Sequence, residues 1–278
     1  MSIALIYTCK FWKISYNTGS LLFFLLMKIL VVTATLGERT SLSRAIESVE
    51  RHGGCKVRHI IVAPASRLNE IKKCYGDDLD YMAEPENKRG IYAALNAAFF
   101  TYGRQYDYFA YINDDDYWLP EFENLIKIAE KKEYDVVYAK TLYVDKEGKV
   151  LKKQACSCQF NRFNDLFHEN VILLTQQTAL VKRDLFFKVG GFDDTYKLVA
   201  DTKFWIQASL LHPSYKFVKR YVSCYTLQPG QLSKDSKTQS VEHGRLRKEY
   251  PSKNVLRRKL ALLRYRLCNF DIYIERLI

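Results

Sequence analysis

The sequence of 278 residues predicts an α/β fold with a mixed, mainly parallel central sheet that is flanked by helices. In the first half of the chain, short runs of apolar and β-branched residues alternate with amphipathic stretches, and glycines separate them. This alternation is typical of strands joined by helical crossovers. A hydrophobic content of 48% with 14% aromatic residues is sufficient to fill a sizeable core.

The first elements follow this rhythm in order. A strand is predicted at residues 29–33, and a helix at residues 41–51 with Leu42, Ala45, Ile46 and Val49 on one face. A second strand at residues 57–62 and a second helix at residues 68–75 repeat the pattern, and a short strand follows near Tyr81. The parallel arrangement of these strands is therefore the expectation.

A clear amphipathic helix comes next, between Gly90 and Gly103. Its apolar residues recur at helical spacing: Ile91, Ala94, Leu95, Ala98, Phe99 and Tyr102. A buried strand is predicted at residues 108–112, and Pro120 suits the first turn of a further helix. Strands return at residues 136–138, and the runs 142–144 and 150–151 predict an antiparallel hairpin.

The organisation predicted from these elements is one α/β domain at residues 27–235 and a basic helical tail at residues 236–278. Residues 1–26 are expected to be an extension outside the fold, because residues 28–33 look like its first strand. Lys28 interrupts the apolar run before it reaches the ~20 residues of a spanning helix, and a signal peptide with Lys10 and Lys13 as its basic region is the alternative. The seven cysteines form no C-x-x-C pair, which favours free thiols in a reducing cytosol and hence a cytoplasmic protein.

The basic excess is concentrated in the tail. Lys and Arg exceed Asp and Glu by 43 − 31 = 12, and residues 244–278 contribute ten basic against three acidic side chains. Apolar residues recur there every three or four positions: Leu256, Leu260, Leu263, Leu267, Phe270, Ile274 and Leu277. This pattern predicts an amphipathic helix that lies on an anionic membrane surface, docks on the domain or pairs with another subunit in a homodimer.

An acidic run follows the predicted strand at residues 108–112. Asn113, Asp114, Asp115 and Asp116 stand where that strand ends. Ligands bind at the carboxyl ends of strands in open α/β sheets, and repelling carboxylates are commonly held together by a hard cation. The alternative is an acidic, solvated turn.

Several motifs occur in the order and spacing of one family. They are residues 32–39 (VTATLGER), 84–96 (EPENKRGIYAALN), the acidic run, 137–138 (VY), 176–178 (QQT), 190–193 (GGFD), and Ala200-Asp201 before Phe204-Trp205. In this, residues 28–210 resemble the family 2 glycosyltransferases of the GT-A fold, most closely bacterial members that build surface polysaccharides. The resemblance implies a Rossmann-like domain, with residues 27–118 as its nucleotide-sugar half and 119–235 as its acceptor half.

The resemblance also implies roles for individual residues. It makes Asp115 and Asp116 ligands of Mg²⁺ or Mn²⁺, which stabilises the departing diphosphate, and it makes Asp201 the base of an inverting transfer. The residues expected to bind the donor are Thr33, Ala34, Glu38, Lys88, Arg89, Asn96, Asn113 and Asp114. The leading acid of the family's D-x-D pattern is here Asn113, so one anionic ligand is lost.

The resemblance predicts a nucleoside-diphosphate sugar as donor and a glycan or lipid-linked saccharide as acceptor. The second strand ends in Ala63 and Pro64 rather than in the acids with which the family recognises the base. A uridine diphosphate hexose is expected by prevalence, and guanosine and thymidine donors remain open. A sugar nucleotidyltransferase is the second reading, although only Gly37 follows the first strand. A non-catalytic basic module is the third, and nucleic acid is not the expected partner, because the leucine repeat suits a bilayer better.

Overall fold

The computed structural model describes residues 27–52, 56–88, 90–228, 231 and 235–275. The predicted N-terminal extension therefore lies outside the described residues. Within those residues the strands are β1 (Ile29–Ala34), β2 (Val57–Ala63), β3 (Asp80–Ala83), β4 (Tyr108–Tyr111), β5 (Tyr117–Trp118), β6 (Val136–Val144), β7 (Val150–Lys153), β8 (Ala179–Lys182) and β9 (Tyr215–Thr226).

Ten α-helices lie in the same described part of the chain. They are α1 (Leu42–Glu50), α2 (Ala65–Tyr75), α3 (Ile91–Tyr102), α4 (Glu123–Lys131), α5 (Phe163–His168), α6 (Arg183–Val189), α7 (Ala200–Leu210), α8 (Ser236–Glu249), α9 (Val255–Cys268) and α10 (Phe270–Glu275).

The strands form one mixed sheet in the order β3-β2-β1-β4-β8-β6-β9-β5, with β7 paired to β6. Strands β1 to β4 are mutually parallel, and β8 runs antiparallel between β4 and β6. Strand β9 is parallel to β6, whereas β5 and β7 are antiparallel to their neighbours. Six described strands (β1, β2, β3, β4, β6 and β9) therefore share one direction, which confirms the mainly parallel sheet.

The two faces of the sheet are covered by different helices, as the alternation of side chains along β1 shows. Leu30 and Val32 point into a core that includes residues of α3, α5, α6 and α7, whereas Ile29 and Val31 join a second core with residues of α4. Because both faces are covered, β1 is buried almost throughout and reads as a continuous apolar run. The carboxyl ends of β1 and β4 meet at one edge of this sheet.

The predicted elements of the first half are confirmed, with ends shifted by a few residues. Residues 136–138 and 142–144, predicted as separate strands, form the single strand β6, which pairs with β7 in the predicted hairpin. Strand β8 and helices α5 and α6 were not predicted. Their short apolar runs give little helical or strand periodicity, and packing on the sheet decides their structure.

The C-terminal region consists of three helices, and Asn269 separates the last two. Helix α8 packs on the α/β domain: Leu246 is fully buried, and Glu249 accepts a hydrogen bond from Tyr196 and pairs with Lys203 of α7. Among the described residues, none of the helices has both the length and the apolar character that crossing a membrane requires.

Candidate active site

The acidic run lies at the carboxyl edge of the sheet, against the loop that leaves β1. Thr35 donates a hydrogen bond to the Asp114 carboxylate at 2.6 Å, and Ser41 donates to the Asp114 carbonyl at 2.9 Å. Arg39 forms an ion pair with Asp114 at 3.2 Å. Burial raises the pKa of Asp114, while the Thr35 hydroxyl and the Arg39 charge oppose that shift. The loop after β1 and the acidic run therefore form one unit.

Asp115 is the centre of a cationic and amide cluster. Its Oδ2 atom pairs with the Arg39 guanidinium and accepts hydrogen bonds from the side-chain amides of Gln228 at 3.1 Å and Gln231 at 2.9 Å. Asp115 is buried. A buried carboxylate needs such partners, because an unpaired charge in this environment is costly. Gln228 and Gln231, which follow β9, thus contact the acidic run.

Asp116 anchors the acidic run to β9. Its Oδ1 accepts the backbone N–H of Thr226 at 2.9 Å, and its Oδ2 accepts the side-chain amide of Asn113 at 3.2 Å. Burial and the neighbouring Asp115 charge raise the pKa of Asp116 well above its usual range. The buried Asn113 Oδ1 has no hydrogen-bond partner among the described residues. This leaves one free oxygen acceptor beside the carboxylates.

An open cleft of about 600 Å³ adjoins these residues. Its lining combines three cationic and two acidic side chains with hydroxyl and amide groups: Glu38, Arg39, Thr40, Ser41, Arg44, Lys146, Glu147, Thr226 and Gln228. The Arg44 guanidinium lies 4.2 Å from the centre of the Tyr117 ring, which holds it at the cleft. The volume lies within the range of small-molecule sites, and the cations suit an anionic ligand.

Asp201 lies in the first turn of α7, as predicted. Its Oδ1 accepts hydrogen bonds from the Tyr92 hydroxyl at 3.2 Å and from the Thr202 N–H at 2.7 Å. Burial raises the pKa of Asp201 to about 6, although both hydrogen bonds favour the charged form. A carboxyl group with this pKa is largely ionised at neutral pH, and its conjugate acid is weak enough for it to accept a proton efficiently.

Tyr111, at the end of β4, connects Asp201 with the acidic run. Burial raises the pKa of Tyr111 well above its usual range, and the charges of Asp201 and Asp116 add to the shift. The Tyr111 ring packs on Phe192 at 5.4 Å between ring centres, and Phe192 packs on Tyr92, which bonds Asp201. A chain of contacts therefore links the end of β4, which precedes the acidic run, to Asp201.

The loop before Asp201 is held by Glu242 of α8. The Glu242 carboxylate accepts the backbone N–H groups of Lys197, Leu198 and Val199 at 2.7, 2.9 and 3.2 Å. The carbonyl of Leu198 in turn accepts the Tyr92 hydroxyl at 3.0 Å. The predicted tail thus contributes a positioning residue to the site, through contacts that its amphipathic pattern does not reveal.

The predicted donor residues after β1 differ in their surroundings. Thr33 is fully buried, and its hydroxyl bonds the buried His59 of β2 at 2.9 Å, so its side chain links two strands inside the sheet. Ala34 is partly exposed at the end of β1, and Glu38 is exposed and lines the cleft. Of this group, Glu38 is the side chain that the structure places at the cleft.

The predicted residues around α3 are engaged elsewhere. The Asn96 amide donates to the Phe192 carbonyl at 2.7 Å and its Oδ1 accepts the Phe192 N–H at 2.9 Å, so Asn96 holds the turn at Gly190 and Gly191. Lys88 pairs with Asp194 at 2.7 Å. Arg89 lies outside the described residues.

Several site residues were not singled out from the sequence, namely Thr35, Arg39, Tyr92, Gln228, Gln231 and Glu242. Thr35, Arg39 and Tyr92 stand inside the quoted motifs, which was the available signal. Gln228, Gln231 and Glu242 are more than 40 residues from their partners along the chain. Contacts at that separation leave no local pattern.

The family model for glycosyl transferase family 2 matches residues 30–190, more than half of the chain. The chain belongs to glycosyl transferase family 2. The match includes the acidic run and ends before Asp201. It confirms the resemblance found in the motifs. None of the curated proteins matches this chain.

Solved structures similar to this glycosyltransferase support the GT-A fold. Residues 1–349 of TarS from S. aureus, in complex with UDP-GlcNAc, align with a TM-score of 0.63 at 14% identity, covering 88% of this chain and 73% of that one. A longer TarS structure aligns with a TM-score of 0.56 at 14% identity. That alignment covers 73% of this chain and 37% of the TarS chain.

The mannosyltransferase PcManGT from Pyrobaculum calidifontis, in complex with GDP-Man and Mn²⁺, aligns with a TM-score of 0.51 at 15% identity. The alignment covers 74% of this chain and 58% of PcManGT. The two neighbours thus carry nucleotide sugars with different bases.

The role of Glu242 can be tested with Glu242→Gln. Glutamine keeps one oxygen acceptor but replaces the other with an NH₂ group, which cannot accept a hydrogen bond from the backbone N–H opposite it. We therefore expect the loop before Asp201 to lose at least one hydrogen bond and to become more mobile. Turnover should fall roughly 10-fold, because small displacements of a reacting group slow catalysis. The KM for the donor should stay unchanged, since Glu242 does not line the cleft. Glu133→Gln, at a highly exposed ion pair, is the matched control. An equal change in turnover for both variants would remove the positioning role.

Proposed function

We propose that this glycosyltransferase transfers a hexose with inversion from a nucleoside-diphosphate donor to a saccharide acceptor in the synthesis of a bacterial cell-surface polysaccharide. The observation that carries the proposal is a chain of contacts between two regions: Tyr111, at the end of β4 before the acidic run, packs on Phe192, and Phe192 packs on Tyr92, which donates a hydrogen bond to Asp201. In the acidic run, Asp115 pairs with the cationic Arg39. Leaving-group stabilisation and proton removal are the two requirements of such a transfer.

The cleft beside Asp115 is the proposed donor site. Arg39, Arg44 and Lys146 supply positive charge for the diphosphate, and Glu38 and Thr40 supply polar groups for the nucleoside. Arg39 already pairs with two carboxylates, so its guanidinium can exchange one anionic partner for a phosphate of the donor. A uridine diphosphate hexose is the proposed donor, by analogy with the UDP-GlcNAc in the TarS complex.

A divalent cation is part of the proposal, and the donor set fits Mg²⁺ or Mn²⁺. The available groups are hard oxygen donors: the carboxylates of Asp115 and Asp116 and the unpartnered Asn113 Oδ1. No cluster of three or more His, Cys, Asp or Glu side chains is arranged for a metal among the described residues. Mg²⁺ commonly takes one or two carboxylates and completes its shell with substrate phosphates. When bound, the ion would neutralise charge that develops on the diphosphate.

Asp201 performs the proposed proton removal. As the acceptor hydroxyl oxygen forms its bond to the anomeric carbon, its proton passes to the Asp201 carboxylate. The bond from the anomeric carbon to the diphosphate oxygen breaks, and the diphosphate leaves with the electron pair. One displacement on the face opposite the leaving group inverts the anomeric configuration. Tyr92 orients the carboxylate through its hydrogen bond to Oδ1.

The acceptor is proposed to be a growing glycan or lipid-linked saccharide on the cytoplasmic side of the plasma membrane. The support is the resemblance to enzymes of surface-polysaccharide synthesis and the structural likeness to TarS, which at this identity concerns the fold.

The proposal is tested by a thermal-shift and hydrolysis panel of UDP-, GDP- and dTDP-sugars, each with and without Mn²⁺. We expect one nucleotide class to raise Tm in the presence of Mn²⁺, since a ligand that binds only the native state at 100 times its Kd stabilises by about 2.7 kcal/mol. That donor should be hydrolysed slowly to a free sugar and the nucleoside diphosphate.

The reaction products distinguish the proposed glycosyltransferase from the alternative, a sugar nucleotidyltransferase. Release of pyrophosphate from a nucleoside triphosphate and a sugar 1-phosphate would indicate nucleotidyl transfer instead. The absence of any Tm rise across the panel would contradict the proposed donor class. Retention of the anomeric configuration in the transfer product, read by NMR, would contradict the single displacement.

A further inference from the structure

Helix α9 exposes a row of leucines to solvent. Leu256, Leu260, Leu263 and Leu267, here called the leucine face, are 71%, 56%, 53% and 67% exposed. Phe270 and Ile274 continue the row on α10 with exposures of 63% and 40%. A contiguous row of large apolar side chains in water is unfavourable and marks an interaction surface.

The opposite face of α9 is the one that docks on the enzyme. Ala261 and Tyr265 are buried, and the Tyr265 hydroxyl donates to the Ala155 carbonyl at 2.8 Å. Arg258 pairs with Glu169 at 3.1 Å, and Asn269 accepts the Cys156 N–H at 3.0 Å. The helix is therefore held in place with its leucine face outward, so the alternative in which this row itself docks on the domain does not apply.

Basic side chains border the leucine face on both sides. Arg257 and Arg264 directly follow Leu256 and Leu263, while Lys259 and Arg266 directly precede Leu260 and Leu267. If the leucines occupy a and d positions of heptads, these four basic residues occupy the e and g positions. Arg257 and Lys259 pair with Asp165 at 2.9 Å and Glu169 at 2.6 Å, whereas Arg264 and Arg266 have no carboxylate within ion-pair distance among the described residues. Their charges are therefore available to an external partner.

This charge pattern distinguishes between three possible partners of the leucine face: a second copy of the chain, a nucleic acid and a lipid bilayer. In a homodimer through the leucine face, the e and g residues of the two copies would face each other, and the unpaired charges of Arg264 and Arg266 would repel those of the second copy. A nucleic acid would neutralise the basic residues but leave the leucines in water. An anionic bilayer interface satisfies both, because it accepts the apolar side chains and attracts the basic border.

We propose that the leucine face of α9 binds the surface of an anionic lipid bilayer, with the helix axis parallel to the membrane. The leucines enter the boundary between headgroups and acyl chains, and Arg264 and Arg266 contact lipid phosphates. The inference goes beyond the proposed function, because it concerns a surface on the side of α9 that faces away from the domain. It gives the enzyme a peripheral attachment next to a lipid-linked acceptor.

The test measures cosedimentation of the full chain with vesicles. We expect binding to phosphatidylcholine mixed with phosphatidylglycerol, at least 10-fold weaker binding to phosphatidylcholine alone, and weakening by added salt. The double variant Leu260→Gln/Leu263→Gln should lower binding roughly 10- to 100-fold, given the apolar area removed. The control Leu151→Gln/Leu210→Gln changes two leucines of similar exposure at other places and should bind as the unchanged protein does.

Other outcomes would overturn the proposal. Equal vesicle binding by the leucine and control variants would exclude the leucine face as the membrane surface. Dimerisation in solution that the leucine variant abolishes, without vesicle binding, would assign the face to a second copy. Tight oligonucleotide binding with no vesicle binding would assign the basic border to nucleic acid. Donor hydrolysis should be unchanged in both variants, so a failed membrane test is distinct from a failed transferase assignment.

Discussion

Asp201→Asn is expected to lower sugar transfer by roughly 10²- to 10⁴-fold, the range typical of a lost general base. The fold should remain intact, because Tyr92 and Thr202 both bond Oδ1, an oxygen that asparagine retains. The measurement is kcat for transfer at saturating donor. Asp184→Asn, which neutralises an exposed acid in the first turn of α6, is the matched control and should retain full turnover.

The same variant should raise stability at neutral pH. The pKa of Asp201 is about 6 in the folded protein against 3.8 in the unfolded chain, so the folded state binds the proton more tightly. Stability of the unchanged enzyme therefore falls as pH rises from about 4 to 6 and then stays level. Asparagine removes that loss, which amounts to at most about 3 kcal/mol above pH 6. Thermal unfolding at pH 4 and pH 7.5 should show the gain at the higher pH.

The pH profile adds a check specific to the base. Turnover should rise with pH through about 6 and then level off, as Asp201 becomes ionised. Tyr92→Phe removes a hydrogen bond that favours the charged form, so the rising limb should move to higher pH. Two results would contradict the role of Asp201 as the base. One is a wild-type turnover for Asp201→Asn, and the other is a rising limb of the pH profile that does not move in Tyr92→Phe.

Asp115→Asn is expected to cause the second large loss, roughly 100-fold or more in kcat/KM. Stabilisation of developing charge by a held cation is worth several kcal/mol, and asparagine removes the charge that holds both Arg39 and the proposed metal. The Mn²⁺ concentration that gives half-maximal donor hydrolysis should rise at least 10-fold. Titration of activity with Mn²⁺ at fixed donor concentration measures both quantities.

The control for this variant is Asp78→Asn, an exposed acid in the loop after α2. It should leave both the rate and the Mn²⁺ requirement unchanged. If Asp115→Asn lowers the rate without changing the Mn²⁺ requirement, Asp115 orients Arg39 rather than the metal. Wild-type behaviour of Asp115→Asn in both readouts would remove the acidic run from the active site.

The local pattern of apolar residues was sufficient to predict a helix or strand where that element is long and periodic. The apolar spacing of α3 between Gly90 and Gly103 gave its bounds, and the β-branched run after Lys28 gave β1. The short strand β8 shows the limit, because an antiparallel strand between β4 and β6 is selected by its neighbours in the sheet and not by its four residues. The break at Asn269 likewise divides a repeat that looks continuous in the sequence.

The order of the motifs along the sequence was sufficient to predict which loops form the candidate site. It was not sufficient to predict which groups the side chains of those loops contact. Asp201 and the acidic run were singled out from the sequence, and in the structure contacts through Tyr111, Phe192 and Tyr92 link the two regions. Thr33 and Asn96 belong to the same motifs, yet the structure gives them bonds to His59 and Phe192. A motif records which positions are near a site, whereas the direction of each side chain depends on what packs beside it.

The sequence by itself determined the α/β class, the family and the positions of the acidic run and Asp201, because these depend on short-range periodicity and on motif order. Only the tertiary structure decided that Arg39 pairs with Asp115, that Glu242 holds the loop before Asp201, and that the leucine face of α9 points outward. The Arg39–Asp115 and Glu242 contacts join residues more than 40 positions apart, and the outward face is set by what α9 packs against. Such features follow from the folded arrangement of the chain, since local propensity carries no information about which distant group a side chain will meet.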